Sequence, residues 1–327
     1  MRNQIRSWHW MIAAAWLAVA PGAHAQAWKP DKNVEIVVGT SPGGGQDTSA
    51  RFVNKLIQDR KLLEVASTIV NKPGGGSAIG YAYLNQHAGD AHYTMLLTVP
   101  LITNHILGAS NISYNDLTPL ANLFDEYVVA AVTPDSPMKT AKDLLARLRK
   151  DPQSVSVGVP SLTGGGNFAI VLAAKAAGVD PRRLKTVVFK SGGDSMTALL
   201  GGHIDVMMST TAAPVRQRRA GKVRILAIAS PQRVGGELAD VPTWREQGAD
   251  VVFSNWRGMV GPRNLTPAQV AYWEGIFRNV ASNDEFKHEL DKNQWVANYL
   301  GSADMRKYLR EQHDQLRALL IELGMAK

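Results

Sequence analysis

Four glycine-rich turns, each between an apolar strand and the start of a helix, are the strongest indication of the fold of this chain. Each apolar segment is short and rich in β-branched residues, and the polar segment after it has the composition of a helix start. This order, repeated along the chain, predicts an α/β fold in which mainly parallel strands are covered by helices. The four turns span residues 41–48, 72–78, 161–167 and 191–195.

Turns of this kind favour the binding of an anion. The first backbone N–H groups of a helix have no partner within the helix, and the helix dipole places partial positive charge there. Glycine allows positive φ and lets a ligand approach the backbone closely. Two of the turns lie in each half of the chain, which predicts two facing halves around one negatively charged small molecule.

The N-terminus has the pattern of a secretory signal peptide. Arg2 and Arg6 precede a short apolar run at residues 11–20, and Ala23-His24-Ala25 has the small residues of a cleavage site. We expect residues 1–25 to be removed before Gln26. The chain contains no cysteine, which excludes disulfides and a lipid-modified N-terminal cysteine. These features predict a soluble protein of a bacterial periplasm.

The charge balance is mildly basic. Without residues 1–25 the chain keeps 34 basic and 28 acidic residues, a net charge of +6. Such a balance can help to attract a small acid. The densest basic run, residues 216–224, lacks interleaved aromatic residues and is typical of a solvated helix end. No nucleic-acid partner is expected.

The order of strands and helices predicts two domains. Residues 26–126 and 253–327 form a discontinuous domain 1, and residues 127–252 form domain 2. The chain crosses between them in apolar segments near 127–132 and 251–258, and two such segments suit a hinge that closes around a ligand. The helices after the glycine turns need N-cap residues of the preferred polar types. The candidates are Asp47 or Thr48, Ser77, Asn167, and Asp194 or Ser195.

No catalytic, cofactor or metal site is expected. The triple-glycine runs do not complete G-x-G-x-x-G, because Thr48, Ile79 and Ala169 occupy the third glycine position. The histidines outside residues 1–25 are scattered without metal-ligand spacing. His203 has the context of a turn residue, and Asp47 that of a helix cap or ligand-binding group.

Several longer motifs resemble those of the substrate-binding proteins of tripartite tricarboxylate transporters, also called the Bug receptors. The resemblance covers nearly the whole chain after residue 25. It implies a two-lobed, type II-like periplasmic binding protein that closes on a small carboxylate and delivers it to a membrane permease. The motifs lie at residues 42–51, 71–80, 198–206, 220–227, 241–248 and 255–258.

The resemblance also implies which residues bind the ligand. The first two glycine turns hold one carboxylate, and the turns of the second half face it. The implied ligand-binding residues are Ser41, Gly43, Gly44, Gly45, Asp47, Thr48, Gly74, Gly75, Gly76, Ser77, Asn104, Ser161, Thr163, Gly164, Gly165, Asn167, Ser191, Gly192, Asp194 and Thr210.

The expected ligand is a di- or tricarboxylate such as citrate, and the expected protein is a monomeric, non-enzymatic receptor. The chain departs from the common family pattern at Thr40-Ser-Pro42 and at Asn167, so ligand identity does not transfer. Arg257 either adds a charge to the pocket or braces the crossing segment. Two alternatives stay open: a sensor that presents its ligand to a sensor kinase of a two-component system, and a periplasmic hydrolase of acidic esters that uses Ser77 or Ser41.

Overall fold

The computed structural model describes residues 28–326, so the predicted signal peptide lies outside the described residues. That range contains ten strands and ten α-helices, which alternate from β1 to β8. The strands are β1 (Val34–Val38), β2 (Ser67–Asn71), β3 (Tyr93–Leu97), β4 (Leu117–Val132), β5 (Ser156–Val159), β6 (Lys185–Val188), β7 (Val206–Thr210), β8 (Arg224–Ile228), β9 (Ser254–Pro262) and β10 (Val296–Gly301). The helices are α1 (Gly45–Asp59), α2 (Ala78–Asn85), α3 (Pro100–Ile106), α4 (Ala141–Lys150), α5 (Gly165–Ala176), α6 (Gly192–Leu200), α7 (Ala212–Arg219), α8 (Pro267–Ser282), α9 (Asp284–Asn293) and α10 (Ser302–Glu322).

The strands form a mixed sheet in the order β2-β1-β3-β9-β4-β7-β5-β6, and β8 and β10 also pair with β4. Strands β1, β2 and β3 are parallel, and so are β5, β6 and β7. These two parallel groups are the centres of the two lobes. The pairings that involve β4 or β9 are antiparallel.

Strand β4 is shared by both lobes. Its residues 117–127 pair with β9, whereas residues 128–132 pair with β7 and β8. The sequence predicts only an apolar strand at 127–132 and misses its first ten residues. The strand exceeds the usual length because one half of it is buried in each lobe.

Helices and loops cover both faces of the sheet and close its core. Trp244, Trp256 and Trp273 are fully buried, and each belongs to one of two large apolar clusters. The sequence predicts a strand over 34–38 and a helix over 141–150, and β1 and α4 have these bounds; α4 begins with a capping box between Thr140 and Asp143. Strand β10 is not predicted, because its residues do not alternate between apolar and polar.

Three of the four N-cap predictions are wrong. Helices α1, α5 and α6 begin at Gly45, Gly165 and Gly192, so that their N-caps lie three or four residues before the predicted ones. Their N-caps are Gly44, Gly164 and Ser191, which leaves Asp47, Asn167 and Asp194 at the third helical position. Glycine in the extended conformation at Gly44 and Gly164 is an accepted N-cap. The fourth prediction, Ser77 as the N-cap of α2, is confirmed.

The basic run at the end of α7 is held by acidic partners, as a solvated helix end requires. Arg218 pairs with Asp240 at 2.5 Å, and Arg219 pairs with Glu237 at 2.5 Å. His203 is exposed in the turn after α6. Within residues 28–326, no helix has the length and apolar character that crossing a bilayer requires.

Candidate functional site

A cavity of about 450 Å³ lies between the two lobes, beyond the carboxyl ends of the parallel strands. This is where open α/β sheets bind their ligands, and the volume is within the ~300–1,000 Å³ typical of small-molecule sites. All four glycine turns contribute to its wall. Of the predicted ligand-binding residues, those that line the cavity are Gly44, Gly45, Gly74, Gly75, Gly76, Ser77, Asn104, Ser161, Thr163, Gly164, Gly165, Gly192 and Thr210.

The other predicted residues lie behind this wall. Those outside the lining are Ser41, Gly43, Asp47, Thr48, Asn167, Ser191 and Asp194. Several of them hold the loops that do line it. Asn167 Nδ2 donates to the carbonyl of Leu162 at 2.8 Å. The hydroxyl of Ser191 accepts from the amide of Asp194 at 3.1 Å and donates to its carboxylate at 3.0 Å.

Asp47 braces the first glycine turn from inside. Its carboxylate accepts from the amide of Gly43, from Arg51 Nε and from Asn71 Nδ2, each at 2.9 Å. Burial raises the pKa of Asp47, but the donors on Arg51, Gly43 and Asn71 outweigh it and hold that pKa below its ordinary value. A carboxylate with its lone pairs so engaged fixes the turn and is not free to meet an anionic ligand.

The second glycine turn has an unusual backbone. Gly74, Gly75, Gly76 and Ser77 follow one another with φ of +130°, +56°, +59° and +72°. Positive φ costs glycine little, which explains the triple glycine, whereas at Ser77 it is strained. Asn104 Nδ2 donates to the carbonyls of Gly75 and Gly76, at 3.0 Å each, and so fixes the orientation of the turn.

The lobes touch each other at two places around the cavity. A Cβ on Gly44 would lie 3.0 Å from Cβ of Ser191. A Cβ on Gly76 would lie 2.7 Å from the hydroxyls of both Ser161 and Thr163. These approaches need glycine in the first lobe, and they bring together turns from opposite halves of the chain.

A third contact supports the same arrangement. The hydroxyl of Thr103, in α3 of the first lobe, donates to the carbonyl of Thr163 in the second lobe at 2.5 Å. In this structure the two lobes are therefore closed against each other, and the cavity lies between the turns that touch.

A buried ion pair forms the floor of the cavity. Arg257, on β9, pairs with Glu126, on β4, and their side chains are 5% and 0% exposed. The Asn255 amide is assigned so that its oxygen faces Arg257, because this orientation satisfies both of its polar atoms. In this orientation the oxygen accepts from Nη1 and Nη2 of Arg257 at 3.1 and 3.2 Å. Burial raises the pKa of Glu126 above its ordinary value, whereas the charge of Arg257 and the Thr210 hydroxyl act in the opposite direction.

Arg257 lines the cavity and also joins the two crossing strands, and its charge is paired with that of Glu126. Sequence reasoning misses its partner Glu126. The available signal is the pair of acids, Asp125 and Glu126, inside an otherwise apolar segment. Of the two, Glu126 is the fully buried one, and Arg257 on the other crossing segment pairs with it, as buried charges generally need a partner.

The outer part of the cavity is apolar. Leu162 and Val188 line it while 51% and 50% exposed, and Phe189 and Pro160 adjoin them. Lys190 also lines it with an exposed side chain. The remaining lining residues are Gly39, Thr40, Gln46, Thr98, Pro100, Ala109, Gly166, Ser209 and Asn255.

The contacts of Ser77 bear on the ester-hydrolase alternative. Ser77 lies at the cavity, and its hydroxyl donates to the carbonyl of Gly39 at 3.3 Å and lies 3.4 Å from the amide oxygen of Gln46. Neither group is a general base, so nothing in these contacts activates the hydroxyl. Helix amides that face the cavity are instead suited to hold an anion.

Comparison with known proteins agrees with this description. The model of a family described as the tripartite tricarboxylate transporter family receptor matches residues 50–325. A protein from the gbd 5′ region of Cupriavidus necator is 27% identical over 320 residues, which covers 96% of this chain and 94% of that protein. Protein BugT of Bordetella pertussis is 27% identical over 263 residues, with 78% and 77% covered.

Solved structures show the same fold. The periplasmic binding protein BugD superposes with a TM-score of 0.85 at 23% identity, covering 91% of this chain and 99% of BugD. A Rhodopseudomonas palustris protein solved with adipate superposes with a TM-score of 0.84 at 20% sequence identity, covering 91% of this chain and 99% of that protein. MatC of the same species, solved with malate, superposes with a TM-score of 0.81 at 21% sequence identity, covering 89% of this chain and 99% of MatC.

The family model extends over most of the chain, and the fold is that of the periplasmic binding proteins. The chain therefore belongs to the tripartite tricarboxylate transporter receptor family, a family of periplasmic solute-binding receptors.

Proposed function

We propose that this protein captures a small carboxylate in the periplasm and delivers it to the membrane permease of a tripartite tricarboxylate transporter. The proposed ligand class, taken from the sequence, is a di- or tricarboxylate such as citrate. The observation that carries the proposal is the meeting of glycine turns from both lobes around one cavity. The solved relatives with malate and adipate support an organic acid as the class of ligand.

The energy of binding comes from main-chain groups. An anion at a partly buried helix N-terminus gains up to about 2 kcal/mol, and charge-assisted hydrogen bonds contribute about 1.5–3 kcal/mol each. Association costs roughly 4–15 kcal/mol. One turn is therefore too weak to hold a ligand, and the combined turns at α1, α2, α5 and α6 are needed for micromolar affinity.

Binding is proposed to favour the closed arrangement, because the ligand contacts both lobes only when they meet. We place the hinge where β4 changes partners, between Tyr127 and Val128. This position supports the division into residues 26–126 plus 253–327 and residues 127–252. Residues 1–25 are proposed to direct export and then to be removed.

The protein is proposed to act as a monomer without enzymatic activity. The environment of Ser77 argues against the ester hydrolase, since its hydroxyl contacts the Gly39 carbonyl and the Gln46 amide. A sensor role uses the same closure as transport. Deletion of the gene separates the two, because loss of uptake indicates transport and loss of a transcriptional response indicates sensing.

A thermal-shift screen of mono-, di- and tricarboxylates tests the proposal. A ligand that binds only the folded protein raises its stability by about RT ln(1 + [L]/Kd), so that hits rank by affinity. We expect at least one organic acid to raise the melting temperature in a saturable way. If no carboxylate does so at millimolar concentration, while neutral sugars or amines do, the proposal is wrong.

A further inference from the structure

The charges and the apolar surface of the cavity restrict which acids fit it. Among the residues that line it, the charged side chains are Arg257 and Lys190. Arg257 is buried against Glu126, so its charge is already matched on the floor of the cavity. Lys190 is exposed at the outer part and has no ion pair within residues 28–326. The cavity therefore offers one unmatched cation, located away from the floor.

Two clusters of polar groups at the cavity are built by both lobes. In the first cluster, the start of α1 at Gly44 lies against Ser191, which caps α6 behind the cavity wall. In the second cluster, Gly76 lies against Ser161 and Thr163. Each cluster provides amides or hydroxyls for one carboxylate. The other polar side chains of the lining, among them Thr40, Gln46, Thr98, Ser209, Thr210 and Asn255, are neutral, so a third carboxylate would be placed among neutral groups.

The remaining wall is apolar. Leu162 and Val188 are half exposed although they are large aliphatic residues, and Phe189 and Pro160 extend the same surface. Contact with these side chains is favourable for an apolar ligand body, whereas a carboxylate placed against them would lose water without gaining a partner.

We infer that the ligand is an acid with one or two carboxylates on an apolar body, and that Glu126 keeps the cavity selective for such acids by neutralising Arg257. This inference rests on the proposed function and narrows its ligand class. Glu126 acts through Arg257 and is a specificity-determining residue.

Three probes with six carbon atoms each test the ligand class: hexanoate, adipate and citrate, with one, two and three carboxylates. Calorimetric titration of the full mature chain at neutral pH should give hexanoate or adipate a Kd at least tenfold below that of citrate. If citrate binds most tightly, the inference is overturned and the proposed function stands. If none of these acids nor any other carboxylate binds, the proposed function itself fails.

The variant Glu126→Gln tests the role of the ion pair. Loss of the matched charge leaves Arg257 free to attract additional anionic charge. The ratio of the citrate Kd to the adipate Kd should therefore fall by about tenfold or more, the scale on which one neighbouring charge shifts an equilibrium. An unchanged ratio in the folded variant contradicts this role.

Asp125→Asn is the matched control. Asp125 is the adjacent, half-buried acid on β4, but its carboxylate accepts from Asn298 Nδ2 at 2.9 Å and it is not part of the cavity lining. The ratio of the citrate Kd to the adipate Kd should not change in this variant. An equal change in both variants would overturn the assignment to Glu126.

A second variant keeps the inference testable if Glu126→Gln does not fold. Leu162→Gln changes an exposed side chain at the outer part of the cavity, so folding should be unaffected. The substitution should raise the Kd of hexanoate and adipate several-fold and leave the Kd of citrate nearly unchanged. Equal weakening of all three acids would contradict an apolar contact at this position.

Discussion

At the scale of single residues, the glycines of the second turn have two separate roles. Positive φ at Gly76 requires a residue that tolerates this conformation, and the approach of Ser161 and Thr163 requires one without a side chain. The first role concerns stability and the second concerns closure over the ligand. A second glycine that has positive φ but no close neighbour can serve as a control, because its substitution affects stability without affecting closure.

Gly76→Ala should weaken ligand binding at least tenfold, because its Cβ would lie 2.7 Å from two hydroxyls of the facing lobe. Gly178→Ala is the control, since Gly178 has a φ of +73° but open space around its Cβ position. Both variants should lose about 1 kcal/mol of stability. Calorimetric titration decides the point: equal affinity in the two variants would contradict the role of Gly76.

Asp47 offers a prediction that depends on pH. Because its pKa is held below the ordinary value in the folded protein, it contributes stability above about pH 4, and this is lost as pH falls through the lowered value. Asp47→Asn should cost about 1–3 kcal/mol of unfolding free energy at pH 7. The difference from the wild type should shrink as the pH falls towards 3. Denaturant unfolding at several pH values measures it.

Asp143→Asn is the control for Asp47→Asn, since Asp143 occupies the same third position of α4 and its pKa is also lowered by backbone amides. Only the Asp47 variant should also weaken ligand binding, because its carboxylate holds the amide of Gly43 in the first turn. Wild-type affinity in Asp47→Asn would show that the brace does not shape the cavity.

At the scale of elements, the starts of the helices decide the geometry of the site. Ser191 caps α6 and lies against Gly44 of the other lobe, whereas Thr140 caps α4 away from the cavity. These two N-caps are chemically similar and differ in position. They therefore separate the effect of capping from the effect on the ligand.

Ser191→Ala and Thr140→Ala should each reduce stability by about 1 kcal/mol, because each loses the oxygen that accepts from a first-turn amide. The melting temperatures should fall by similar amounts. Ligand affinity should fall several-fold in Ser191→Ala and stay at the wild-type value in Thr140→Ala. Equal affinities would mean that the start of α6 does not contact the ligand.

The sequence predicts the elements well where periodicity is strong, as in β1 and α4, and less well at the glycine turns. There Asp47, Asn167 and Asp194 are residue types that favour the N-cap, but each occupies the third position of its helix. Glycine carries no local signal that distinguishes an extended cap from a first helical residue. The direction of the error is the same at all three turns.

Glycines of all four predicted turns line the cavity, and so do the predicted polar residues Ser77, Asn104, Ser161, Thr163 and Thr210, whereas Glu126 and the apolar surface around Val188 are outside the prediction. Triple glycines identify a close backbone approach, which depends on local sequence. The Glu126–Arg257 pair and the apolar surface around Val188 depend on contacts between distant segments. Their residues are 131 positions apart in the first case, and no local pattern relates them.

At the scale of the whole molecule, the crossing strands β4 and β9 connect binding to closure. The ligand-free protein should populate an open arrangement, in which the contacts of Gly44 with Ser191 and of Gly76 with Ser161 are absent. Small-angle scattering should show a smaller radius of gyration when a saturating acid is added. An identical radius with and without a bound acid would contradict closure as the response to ligand.

A crystal structure with a bound carboxylate shows whether main-chain amides of both lobes hold one organic acid. We expect carboxylate oxygens within hydrogen-bonding distance, about 2.7–3.2 Å, of amides at the starts of α1 or α2 and of α5 or α6. A carboxylate held only by the side chains of Lys190 or Arg257, with those amides bonded to protein, would contradict this expectation.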